Sequence, residues 1–151
     1  MHTGVETGTR IRQICRMESD GPLLVVARGA CTLAICAVRD NALELEYKVE
    51  CPALLQHLAT SPHCAEEMAM ITTDGSIYEW DRQDQLVSHS MDVHERIICC
   101  EYSAHPRVLW TGSSKSLELL DLRDNQHRKL YQFGYDKVEL VGIHRNPQYV
   151  R

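Results

Sequence analysis

The sequence predicts an all-β fold, an incomplete β-propeller of about three four-stranded antiparallel blades plus the first strand of a fourth. Three observations predict it. The stretch from Cys100 to Arg123 reads as one hairpin unit: a strand-like start ends in Ala104-His105-Pro106, an apolar run Val108-Leu109-Trp110 follows, and after a small-residue turn Ser116 to Leu120 alternates into Asp121. The unit recurs. Asp74 to Asp81 superposes on Ser114 to Asp121 at an offset of 40 residues, Thr32 to Val38 falls in the same place at 44, and Leu58 to Pro62 matches Cys100 to Ala104 at 42. A period of about 40–45 residues with four short strands in each unit is the spacing of propeller blades.

Taken in order, residues 1–9 are polar, carry Gly4 and Gly8, and read as a flexible start. The first blade, about 10–50, opens with weak alternation over Ile11 to Cys15 and turns at Ser19-Asp20-Gly21-Pro22. Leu23 to Ala27 is a buried strand, Arg28-Gly29 its turn, and Thr32 to Val38 returns beside it. After Asp40-Asn41, Leu43 to Tyr47 alternates, with Leu and Tyr expected on one face and Glu on the other.

The second blade, about 51–93, starts near Leu54, where Pro52 and Pro62 bracket a run that favours an inner strand over a helix. Met68 to Thr72 is locally helix-favouring, yet the blade frame requires a strand there. Asp74-Gly75 makes the hairpin, Ile77 to Trp80 the third strand and Leu86 to Ser90 the outer one. In the third blade, about 94–136, the strands are Arg96 to Tyr102, Val108 to Thr111, Leu117 to Leu120 and Arg128 to Phe133. Val138 to Ile143 begins a partial blade over 137–151. Three blades and a fragment do not close a ring. Either the chain is a piece of a longer protein, which is the expectation, or another chain covers its open edges.

Charge and cysteine usage narrow the class. A net charge of −5 argues against a domain that grips nucleic acid through a general basic surface. The balance is uneven: residues 1–95 carry −8 and 96–151 carry +3. Seven cysteines, an odd number without framework spacing, imply a reducing compartment and small buried hydrophobes. Leu23 to Val38, the most apolar region, is interrupted by Arg28-Gly29 and falls short of the ~20 residues of a membrane helix, so no membrane role is expected.

Ile77-Tyr78-Glu79-Trp80-Asp81 resembles the end of a WD repeat. In that family a Trp on the third strand, an Asp in the preceding turn, a Ser or Thr on the second strand and a His before the first form a buried network. The resemblance implies that Trp80, Asp74 and Thr72 take such places, beside Gly75 and Asp81. In the third blade Val93-His94 stands where Gly-His would, and Leu120 replaces the Trp. The alternative for Trp80 is a plain core residue.

Tyr102 to Leu109, with Pro106 ending its strand, followed by Leu119-Leu120-Asp121-Leu122-Arg123, resembles the propeller member of the RNA polymerase I-specific TATA-binding-protein-associated factors. That resemblance implies a nuclear, nucleolar scaffold subunit of a promoter-selectivity complex in ribosomal RNA gene transcription. Its partners would be the TATA-binding protein and polymerase I factors, with DNA contact at most indirect. A generic WD-type adaptor, as in a ubiquitin ligase or trafficking complex, is the alternative. Arg107, Lys115, Arg123, Arg128 and Lys129, all within the +3 segment, are the candidate partner contacts, although Arg123 could instead pair with Asp121 or Asp124.

No catalytic residue, cofactor or metal is expected. There is no Cys-x-x-Cys and no glycine-rich phosphate loop. His57, His63 and Cys64 are the nearest approach to a ligand cluster, but adjacent residues on a strand point to opposite faces, which also separates Cys99 from Cys100. Asp121 to Asp124 reads as a paired surface turn.

Overall fold

The computed structural model describes residues 10–17, 19, 21–64, 67–93 and 95–132. Among them are twelve strands and no helix. The first sheet holds β1 (Gln13–Met17), β2 (Leu23–Arg28), β3 (Thr32–Arg39) and β4 (Ala42–Glu50). The second holds β5 (Leu55–Thr60), β6 (Glu67–Thr72), β7 (Ser76–Asp81) and β8 (Leu86–Asp92). The third holds β9 (Cys99–Tyr102), β10 (Val108–Gly112), β11 (Ser116–Asp121) and β12 (Gln126–Gln132). Each sheet is a four-stranded antiparallel meander in sequence order. The fold is an incomplete β-propeller, with three blades among the described residues. The expected flexible start, His94 and the partial blade after residue 136 lie outside the described residues.

The turns follow from their residues. Asp40 and Asn41 both take positive φ, 51° and 61°, which is the two-residue type I′ hairpin that Asp and Asn tolerate. The longer loops after β7 and β11 end on Gln85 (φ 51°) and Asn125 (φ 55°), which are 40 residues apart. Asp81 and Asp121 open those loops: a carboxylate oxygen of each accepts the backbone N–H two residues on, from Gln83 at 2.7 Å and Arg123 at 3.0 Å. The recurring terminal Asp is therefore a turn-former.

A bulge interrupts the third and fourth strands of every blade, between Ile35/Cys36, Ile77/Tyr78 and Leu117/Glu118. These positions align the first blade with the second at an offset of 42 residues, not the 44 expected from the sequence. The bulge also corrects the expected alternation of β4. Cys36 pairs with Leu45 but Ile35 pairs with Tyr47, so Leu43 and Leu45 share one face while Tyr47 and Val49 turn to the other. Met68 to Thr72 is a strand, buried throughout, because both faces of β6 are covered by neighbouring sheets. The inner strand of the third blade begins at Cys99 instead of Arg96.

The core lies between the sheets. Leu24, Val26, Leu33 and Ile35 pack on Leu55, Leu58, Met68 and Trp80 in the first seam. Ala59, Ile71, Ile77 and Met91 pack on Cys100, Tyr102, Leu109 and Leu120 in the second. Each of the Val, Leu, Ile and Met side chains among them contributes about 1.5–3 kcal/mol by leaving water. Arg28, only 7% exposed, ties the first seam. Its Nη1 donates to the carbonyls of Gly29 (3.1 Å) and Leu55 (3.2 Å), Nη2 to that of Gln56 (2.8 Å) and Nε to Gln13 Oε1 (3.0 Å). Gln13 completes the tie by accepting from Leu58 N–H and donating to its carbonyl, both at 3.0 Å.

Candidate interaction surface

Successive antiparallel strands send their turns alternately to two rims. The turns β1–β2, β3–β4, β5–β6, β7–β8, β9–β10 and β11–β12 share the first rim; the hairpins β2–β3, β6–β7 and β10–β11 share the second with the links between blades. This separates the five basic candidates. Arg107 and Arg123 sit in adjacent first-rim turns, joined where Leu122 N–H donates to the Arg107 carbonyl at 2.9 Å. Arg128 is exposed on β12 opposite Leu119, near the same rim. Lys115 is exposed at the tip of β10–β11, on the opposite rim. Lys129 lies opposite Glu118 in the register, and its side chain is outside the described residues.

Two of the five are committed within the chain. Arg107 reaches across the second seam, donating from Nη2 to Glu79 Oε1 (2.8 Å) and from Nε to Oε2 (3.1 Å). These hydrogen bonds raise its pKa further. Arg123 closes a fork on Asp121 at 2.9 and 2.8 Å, and holds that carboxyl down at about 2. Lys115 and Arg128 have no ion-pair partner among the described residues. Glu79 was missed in the sequence because it stands 28 residues from Arg107 and faces it only once two blades stack.

The first rim is consequently mixed in charge. Beside Arg107 a depression of about 250 Å³ is lined by Glu67, Glu79, Asp81 and Asp84, with Trp80 at its wall. Its character is acidic, and its four carboxylates all belong to the −8 segment, with Arg107, among the described residues, the one lining residue from the +3 segment.

The residues of the WD-like motif do not form one network. Thr72 Oγ1 donates to Asp74 Oδ1 and accepts from Ser76 N–H at 2.9 Å, which fixes the hairpin turn. Trp80 stands opposite Met68, four residues along β6 from Thr72, or roughly 13 Å at strand rise. It packs instead edge-on against Tyr47 of the first blade, ring centroids 5.8 Å apart. Gly75 is required where it stands. Its φ is +89°, and a Cβ there would meet the Val93 carbonyl oxygen at 2.0 Å, because Val93 N–H donates to the Gly75 carbonyl at 2.8 Å. Pro106 is exposed in the β9–β10 turn.

The groups weighed for chemistry are engaged structurally. His63 and Cys64 lie in the β5–β6 loop and not on a strand; His63 Nε2 is 2.7 Å from the Ser103 carbonyl of the next blade. Burial pushes the Cys100 thiol well up, and burial followed by the nearby Arg28 charge lowers the pKa of His57. Cys36, Cys51, Cys99 and Cys100 are buried, whereas Cys64 is exposed, against the expectation of a small buried hydrophobe. No group of three or more His, Cys, Asp and Glu side chains suited to a metal occurs among the described residues.

The family model described as TAF1C, beta-propeller matches residues 28–138, more than half of the chain. The chain belongs to the TAF1C β-propeller family. The TAF1C match spans most of the three sheets, from the end of β2 through β12. Among solved structures it is similar to the N-terminal domain of Nup159, also a β-propeller, with a TM-score of 0.55 and 16% identity over 72% of this chain. At that identity the likeness is one of fold. The chain spans 31% of the length of that structure. No curated protein matches it in sequence.

Proposed function

We propose that this TAF1C-family propeller is a non-enzymatic scaffold subunit of an RNA polymerase I promoter-selectivity complex. In this reading it works in the nucleus and nucleolus, through protein–protein contacts with the TATA-binding protein and polymerase I factors, and touches DNA at most indirectly. Family membership over residues 28–138 is the observation that carries the proposal. The rims support it: they offer exposed Lys115 and Arg128 together with an acidic depression, surfaces suited to partners of both signs and poorly suited to continuous phosphate contact. Arg107 and Arg123 contribute through the ion pairs they already make, and Lys129 joins Arg128 on β12 as a candidate contact.

The test is affinity purification of the chain from nuclear extract at two salt concentrations, with co-purifying proteins identified by mass spectrometry. Recovery of the TATA-binding protein with polymerase I factors is the expected result, weakened at high salt and by reversing the charges of Lys115 and Arg128. Recovery of an unrelated ligase or trafficking assembly, with neither present, would return the function to a general adaptor.

A further inference from the structure

At the second rim, the seam between the second and third blades ends in polar side chains. Thr111 on β10 and Glu118 on β11 stand opposite each other in the register, on the same face as the core pair Leu109 and Leu120, so both turn toward the second blade. They are almost wholly enclosed, Thr111 3% exposed and Glu118 6%. Neither side chain has a hydrogen-bond or ion-pair partner among the described residues. No sealed side-chain oxygen or nitrogen lacks a partner there either, so both groups open onto remaining space.

That space is a small cavity of about 10 Å³, which admits one particle the size of a water molecule. Val93 and Ile97, from the link between the blades, form part of its wall, and Glu95 of the same link brings a second carboxylate. Glu95 is held in position: its Oε2 accepts from Ser113 Oγ at 3.1 Å and from Ser116 Oγ at 3.3 Å. The repeat does not ask for such residues. With the bulges aligned, the positions of Thr111 and Glu118 carry Met70 and Tyr78 in the second blade, and Val25 and Cys36 in the first.

Charge and size together select the occupant. A water molecule would satisfy the hydroxyl and leave two carboxylates facing one enclosed space, which is costly without a counter-charge. A cation of similar size answers both groups. The polar side chains at the wall are carboxylates and hydroxyls, the oxygen donors that hard ions take. Magnesium keeps several waters, for which this cavity is too small, whereas calcium accepts irregular sets of protein oxygens.

We propose that Glu118, Thr111 and Glu95 form a calcium site that ties the third blade to the link from the second. Glu118 and Glu95 supply the charge and Thr111 a neutral oxygen; Ser113 and Ser116 are positioning residues that orient Glu95. Two carboxylates put the affinity at the weak end of calcium sites, with a Kd of about 10⁻⁴–10⁻³ M.

Thermal unfolding and calorimetric titration of the chelator-stripped 151-residue chain with calcium chloride test this, against magnesium chloride at equal ionic strength. Calcium at ten times its Kd should raise Tm by about 3–5 °C, and magnesium by less. Glu118→Gln, which keeps the shape of the side chain, should abolish the calcium response while circular dichroism stays that of the folded sheets. Thr111→Val should weaken binding about tenfold. Asp84→Asn, in the acidic depression on the first rim, should leave the response intact. A Tm indifferent to calcium, an equal rise with magnesium, an equal response in Glu118→Gln, or its loss in Asp84→Asn would each overturn the proposal. So would calcium binding that emerges only in Lys129→Met, which would assign the charge of Glu118 to the lysine opposite it on β12.

Discussion

At the residue scale, Gly75 is the position where chemistry leaves least choice. Gly75→Ala should cost about 3 kcal/mol, from the positive φ together with displacement of the Val93 carbonyl. Urea unfolding at constant m-value would measure it. His57 gives a pH signature. Its folded pKa lies below the ordinary imidazole value because burial, and then Arg28, disfavour the cation. The unfolded chain therefore binds a proton first as pH falls, and stability from this site is complete above about pH 6.5 and declines as pH drops from there to the folded pKa. His57→Gln should flatten that limb of the stability profile; an unchanged slope in the variant would assign it to other groups.

Sheet and turn elements were legible wherever a local cause fixes them. The hairpin at Asp74-Gly75, the turn at Asp40-Asn41 and the terminal Asp of β7 and of β11 announce themselves, because φ > 0 and side-chain capping are properties of one or two residues. β6 was legible only through the repeat, since Met, Ala and Glu favour helix and it is burial on both faces that decides. The bulges were not legible, and with them went the facing of Leu43 and Leu45. A bulge is set by how two strands meet, and nothing in β4 alone records it. Arg28 is the same kind of case: it reads as a turn residue, yet its guanidinium holds the first strand of the next blade. Arg28→Met should lose about 3–5 kcal/mol by leaving the Leu55 and Gln56 carbonyls without that donor. Thermal unfolding would show it, and Arg28→Lys should recover little, as one ammonium cannot span the same fork.

For the whole molecule, the candidate site depended on which blades touch, and this is where sequence reading reached least far. Arg107 was legible as a loop cation but not as half of a seam. Reversing Glu79 and Arg107 singly should each destabilise, and the double exchange should recover about 0.5–1 kcal/mol of coupling, a modest value because Arg107 is 46% exposed in its side chain. A double-mutant cycle by chemical denaturation measures it; zero coupling would make the fork incidental.

Among the described residues, β6 is covered on both faces, whereas the first and third sheets are each covered on one. Stability along the chain should therefore peak in the middle blade, and the backbone amides of Met68 to Ile71 should exchange with deuterium only through opening of the entire stack. Those of β4 and β12 should exchange through fraying of a single outer strand. A blade sequence inherited as a repeat would thus acquire, from its place in the array alone, a lifetime that its own residues do not encode.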